Sequence, residues 1–301
     1  MKGFNTPVLF LVFNRPDTTR RVFEKIRQSK PPRLYVAADG PKKDKPGEEA
    51  LCQQVRDIAT DVDWDCEVKT LFRDDNLGCK HAVSSAIDWL FQQEEMGIIL
   101  EDDCLPNQSF FQFCEELLHR YKDDEQVMTI SGNNFQPKRR TENSYYFSKY
   151  MHCWGWASWS SAWESFDLEM SEWSDLKKEN WLSTLFHRKK AQKYWENIFD
   201  KVYNNEIDTW GYIWTYSIWA DDGVNILPEE NLVSNIGFGE NGTHTKSNNS
   251  AFDKMNTQPL NFPLTHPKEI MVHNDADAYT QRSHFGIPFY KKVINKIKSI
   301  V

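Results

Sequence analysis

The chain has 301 residues, 40% of them hydrophobic and 27% charged, enough for a sizeable core in one large domain or two small ones. Its formal net charge of −8 argues against a general nucleic-acid binder. The six cysteines form no C-x-x-C pair, so they give no zinc signature and suit free thiols in a reducing cytoplasm.

Residues 8–13, VLFLVF, are apolar without alternation, as in a strand buried on both faces of a mostly parallel sheet. The run is too short to span a bilayer and lacks a following cleavage site, so neither an anchor nor a signal peptide is expected here. Residues 17–28 read as a helix, with Asp17 as N-cap and Val22, Phe23 and Ile26 as its apolar stripe. Pro31 and Pro32 stop it. A second strand at 34–38 ends on Asp39-Gly40-Pro41, a polar loop covers 42–49, and a helix is expected over 50–59. A third strand at 66–72 is followed by a strong helix at 78–94, with Ala82, Ala86, Trp89 and Leu90 on one face.

The fourth strand, 97–100, runs into Glu101-Asp102-Asp103. Three adjacent carboxylates at the end of a buried strand repel one another and resist desolvation. A divalent cation removes that cost, and hard oxygen ligands suit Mg²⁺ or Mn²⁺ carrying a diphosphate. The alternating strands and helices predict an open α/β sheet with right-handed crossovers, which binds ligands beyond the carboxyl ends of its strands. Those ends carry Asn14-Arg15, Asp39-Gly40, residues 73–76 and the acidic triplet, a mixture of cationic and anionic groups. The first turn has neither G-x-G-x-x-G nor G-x-x-x-x-G-K-[ST], which disfavours a dinucleotide dehydrogenase and a P-loop NTPase. Phosphate binding would then fall to a metal and a cation such as Arg15.

The second half is less regular. It reads as a helix at 109–122, a strand at 127–132, a tryptophan-rich segment at 150–163, helices at 181–203 and 213–220, and short strands at 225–228 and 231–236. A glycine-rich stretch, 237–245, contains His244. At the C-terminus, 285–301 places Phe289, Tyr290, Val293, Ile294, Ile297, Ile300 and Val301 on one helical face and four lysines mostly on the other. That inversion of charge fits a helix lying on an anionic membrane surface; a helix packed on the domain with solvated lysines fits equally.

In this order, Phe13-Asn14-Arg15-Pro16, Ala38-Asp39-Gly40-Pro41, Asn76-Leu77-Gly78, Glu101-Asp102-Asp103, His152-Cys153-Trp154-Gly155-Trp156-Ala157-Ser158-Trp159, Asp208-Thr209-Trp210 and 237–244 resemble a nucleotide-sugar glycosyltransferase of the GT-A fold. The chain is similar to a bacterial family that carries an H-x-W-G-W-A-[ST]-W segment, and more distantly to inverting Golgi N-acetylglucosaminyltransferases. The resemblance implies an α/β, Rossmann-like mixed sheet flanked by helices over 1–250, with a nucleotide-binding half (1–105) and an acceptor half (106–250). An extension at 251–301 follows, carrying the amphipathic tail.

It further implies that Arg15 meets the diphosphate, that Asn14 is among the groups binding the nucleotide-sugar, that Asp39 meets the uracil edge, and that Lys80 or His81 faces base or phosphates. Asp103 would touch Mn²⁺ or Mg²⁺, with Asp102 on the ribose or a metal-bound water and Glu101 behind them. His244 would be a second metal ligand. The loop of Trp154, Gly155 and Trp156 would wall the sugar, since aromatic faces suit pyranose C–H faces. Asp208 would be the general base, with Glu164, Asp221 and Asp222 as fallbacks. For Asp39 an ordinary turn acid, and for Asp208 a helix cap, explain the residue type as well.

The implied activity is inverting transfer of N-acetylglucosamine, or next galactose, from a UDP-sugar to a glycan, lipid-linked at the inner face of the plasma membrane. Two alternatives stand beside it: a sugar-1-phosphate nucleotidyltransferase, and a non-catalytic carbohydrate-binding protein on the same fold.

Overall fold

The computed structural model describes residues 4–237 and 255–285. In chain order the elements are β1 (Val8–Val12), α1 (Pro16–Ser29), β2 (Arg33–Ala38), α2 (Glu48–Thr60), β3 (Glu67–Phe72), α3 (Gly78–Phe91), β4 (Met96–Glu101) and β5 (Cys104–Pro106). There follow α4 (Gln108–Arg120), β6 (Val127–Ser131), β7 (Tyr145–Ser148), β8 (Trp156–Trp159), α5 (Ser160–Trp163), α6 (Trp173–Lys178) and α7 (Leu182–Leu185). The last are α8 (Lys189–Tyr203), α9 (Gly211–Ala220), β9 (Val224–Pro228), β10 (Val233–Asn235) and α10 (Asn274–Ser283).

Eight strands form one mixed sheet in the order β3-β2-β1-β4-β8-β6-β9-β7. β1 pairs in parallel with β2 and β4, and β2 with β3. The expected βαβ half is therefore present, and its strands end at one edge. β8 runs antiparallel between β4 and β6 and welds this half to the rest.

Alternation along the central strands sorts the core into two layers. Val8, Phe10 and Val12 pack with Val22, Phe23 and Ile26 of α1, Val55 of α2 and the phenylalanines of α4. Leu9 and Leu11 face Ala86, Ile87 and Leu90 of α3 and a tryptophan-rich layer drawn from α5 to α9. Most of the tryptophans serve this second layer, where large rings fill the space over the sheet.

Several local expectations shift. Arg15 occupies the N-cap position of α1, Pro16 opens the helix and Asp17 lies in its first turn, the placement that favours proline and an acid. The helix expected over 181–203 is broken: Phe186 is extended at φ −134, ψ 115 and buries its ring against Trp195 and Trp219. The tryptophan segment is a central strand rather than a loop along 156–159. α10 packs beside β7, its Asp277 accepting from the Ser148 hydroxyl at 2.5 Å and the Lys149 N–H at 3.0 Å.

All six cysteines are free. No helix of the described residues is long and apolar enough to cross a membrane. His244 and the tail from 286 onward lie outside the described residues.

Candidate active site

Because β1, β2, β3 and β4 are parallel, the polar residues after each strand gather at one edge. They line a cleft of about 450 Å³. Phe13 and Arg15 come from β1, Asp39 and Lys42 from β2, Arg73 and Asn76 from β3, and Glu101, Asp102 and Asp103 from β4. Trp154, Asp208 and Asn235 join the lining from distant parts of the chain.

Glu101 is the last ladder residue of β4, paired with Leu11. Asp102 accepts the Phe13 N–H at 3.3 Å. Arg15 reaches Asp103 Oδ2 at 2.7 Å and Asp102 Oδ1 at 3.6 Å. The guanidinium expected to meet the diphosphate is thus engaged with the acids. Burial alone would lower the pKa of Arg15, but the Asp102 and Asp103 carboxylates raise it overall.

One guanidinium does not balance three carboxylates. Burial, and then the Asp103 charge, hold both Glu101 and Asp102 well above the usual carboxylate range. Such a cluster takes up protons or a cation. Among the described residues no three His, Cys, Asp or Glu side chains form a set able to hold a metal ion. They offer no all-protein cage; a cation at these acids would be held by one or two carboxylates and completed by a ligand's phosphates.

A second constellation forms around the start of α3. A helix leaves its first amides without intrahelical acceptors. Here two carboxylates supply them. Asp39 accepts the N–H groups of Leu77 (2.9 Å) and Gly78 (3.2 Å), together with Gly40 N–H and the Asn76 side chain, both at 2.9 Å. Asp208 accepts those of Cys79 (2.9 Å) and Lys80 (2.7 Å). Burial raises the Asp39 pKa, against the opposing effect of these amides. Gly78 has φ +78, and a Cβ there would stand 2.9 Å from Asp208 Oδ2, so glycine is needed for the approach.

Arg15, Asp39, Glu101, Asp102, Asp103, Trp154 and Asp208 are thus brought to one cleft. Others among the expected residues are not. Asn14 donates to Glu48 at 2.8 Å and braces α2. Lys80 is buried and its Nζ donates to Asn205 at 3.1 Å. His81 is on the exposed side of α3. Gly155 is buried, with φ +65, against Val233 and Leu100. Trp156 is wholly buried and stacks on Trp210 at 5.5 Å, so of the two tryptophans only Trp154 lines the cleft. Glu164, Asp221 and Asp222 are exposed and do not line it.

Residues outside the sequence expectations also line it: Lys42, Arg73, Cys79, Cys153, Asn235 and Gly237. The two cations sit toward the β2–β3 side, away from the acids by strand order. Arg73 lay inside the polar run after β3, and Cys153 and Gly237 lay within motifs of the resemblance, but none of them was given a role there.

No protein-family model matches the chain, and no curated protein matches it. Among solved structures it is similar to a UDP-glucose pyrophosphorylase complexed with UDP-glucose, at 12% identity and TM-score 0.28, over 48% of this chain and 61% of that one. The alignment thus spans about three fifths of that enzyme. It is also similar to HddC from Yersinia pseudotuberculosis, at 9% identity and TM-score 0.31, over 52% of this chain and 77% of that one. A third is a 4-diphosphocytidyl-2C-methyl-D-erythritol synthase from Anaerococcus prevotii, at 7% identity and TM-score 0.32, over 65% and 84%. Likeness this loose does not support a shared activity, and the functional reading rests on the cleft.

Proposed function

We propose that the protein is an inverting nucleotide-sugar glycosyltransferase of GT-A type that moves a sugar from a UDP-sugar to a glycan acceptor. The observation that carries this reading is the imbalance of charge at the end of β4, where three carboxylates meet one guanidinium in a cleft that also offers Lys42 and Arg73. A cleft with an acidic corner at β4 and basic groups toward β2 and β3 suits a nucleoside diphosphate accompanied by a divalent cation.

Asp103 would hold the cation, Mn²⁺ or Mg²⁺, which when bound supplies positive charge to a leaving diphosphate. Arg15 fixes the Asp102 and Asp103 carboxylates. Trp154 offers an aromatic face to a pyranose. In the transfer, an acceptor hydroxyl oxygen bonds to the anomeric carbon, the bond from that carbon to the diphosphate oxygen breaks, and the hydroxyl proton passes to Asp208. Two of the lone-pair sites on Asp208 are held by helix amides; a carboxylate has about four, so others remain to accept that proton. N-acetylglucosamine is the first sugar to test and galactose the next, with a lipid-linked oligosaccharide as acceptor.

The test is a screen of nucleotide-sugars for donor hydrolysis with Mn²⁺. Release of free sugar and UDP supports the reading. Pyrophosphate release from a nucleoside triphosphate and a sugar-1-phosphate would replace it with nucleotidyl transfer.

A further inference from the structure

Asp103 is held from both sides. Arg15 takes Oδ2 at 2.7 Å, and the Asn235 side-chain N–H lies 3.4 Å from Oδ1. Asn235 reaches this place because β10 pairs antiparallel with β5, the strand that begins immediately after the acidic triplet, with Asn235 opposite Cys104. The Ile236 N–H extends the ladder to the Asp103 carbonyl at 2.8 Å. The other end of the Asn235 carboxamide accepts the Gly237 N–H at 2.9 Å, a local turn that fixes the side chain. Gly237 then lies directly on the acid. A Cβ built there would overlap the carboxylate and stand 2.8 Å from the Asp103 Cβ and Cγ.

We propose that Asn235 is a positioning residue for Asp103, and that Gly237 is the backbone wall against which it works. Together they set which carboxylate of the triplet receives the cation-borne diphosphate of a nucleotide. Asp102 already accepts a backbone N–H and Glu101 lies in the strand ladder, so neither is steered by a carboxamide in this way. The arrangement combines a donor that leaves lone pairs of Asp103 available with a neighbour small enough not to cover them. Groups that orient a ligating side chain are typically worth about 10- to 100-fold in metal affinity. The inference rests on the nucleotide-sugar reading above and narrows it to one acid.

The experiment is calorimetric titration of UDP into the full chain, with Mn²⁺ and with chelator, for the unaltered protein, Asn235→Ala, Gly237→Ala and the same-strand control Ser234→Ala. The expected result is UDP affinity with Mn²⁺ weakened about tenfold or more in Asn235→Ala and Gly237→Ala. Affinity under chelator should not change, and Ser234→Ala should match the unaltered protein. A loss that is equal with and without Mn²⁺ assigns Asn235 a structural role and overturns the proposal. So does a folded Asn235→Ala that binds Mn²⁺-UDP as the unaltered protein does. If the unaltered protein itself shows no Mn²⁺ dependence, the nucleotide-sugar reading fails first and this inference fails with it.

Discussion

The Asp208 carboxylate accepts the backbone N–H of Lys80 at 2.7 Å, joining the approach to α9 to the first turn of α3. With the Cys79 N–H on its other oxygen, Asp208 caps a helix that begins 130 residues earlier in the chain. The residue proposed as base is therefore also a strut, and the two roles separate by substitution. Asp208→Asn keeps an acceptor for one amide and turns an NH₂ toward the other. Turnover should fall by about 10²-fold or more. Stability should fall by about 1 kcal/mol, and UDP binding should persist. Steady-state kinetics, urea unfolding and calorimetry measure the three; a variant that turns over normally moves the base elsewhere.

Asp39 holds the same helix start from the other side. Its oxygens serve Gly40, Asn76, Leu77 and Gly78, which leaves little of it to read a uracil edge. Asp39→Ala strands those donors and should cost about 1–3 kcal/mol in urea unfolding. The ratio of UDP to GDP affinity should hardly move. A stable variant with altered base preference would return Asp39 to nucleobase recognition.

Trp154 and Trp156 should differ sharply. Trp156 is wholly buried against Trp163 and Trp210, and its replacement by alanine should cost about 3–5 kcal/mol. Trp154 is half-buried at the cleft wall, so Trp154→Ala should chiefly weaken sugar-nucleotide binding. Thermal unfolding and donor titration of both variants decide between these outcomes.

His152 supplies a pH signature. Burial, with His284 next, lowers its pKa to about 3, and among the described residues its Nε2 has no hydrogen-bond partner. An unfolded histidine titrates near 6.5, so between these values the unfolded chain binds the extra proton. Stability contributed by neutral His152 is therefore full above about pH 6.5 and is lost as pH falls, by up to about 1.4 kcal/mol per pH unit. The stability of the unaltered protein relative to His152→Asn should decline over this range in urea midpoints taken from pH 7 to 5. A pH-independent difference would mean that His152 is not buried neutral.

The βαβ half was legible because its signals are local. Apolar runs at 8–13 and 34–38 stand between proline, glycine and acids, and the triplet after β4 declares itself as unbalanced charge. What stayed hidden depends on distant pairing. Trp156, expected in a loop walling the sugar, is core because β8 is inserted between β4 and β6. Nothing near Asp208 announces that its partners are the amides of Cys79 and Lys80. Asn235 gains its meaning only from the pairing of β10 with β5, which brings it beside Asp103. Lys80 and His81 were legible as the start of a helix, but which side of it faces the cleft was set by tertiary packing.

The most direct measurement is calorimetric titration of UDP, with Mn²⁺ and with chelator, into the unaltered protein and into Asp103→Ala. Binding should strengthen with Mn²⁺ in the unaltered protein and lose that dependence in Asp103→Ala. Equal affinity with Mn²⁺ and chelator in the unaltered protein, or undiminished Mn²⁺ dependence in Asp103→Ala, would contradict it.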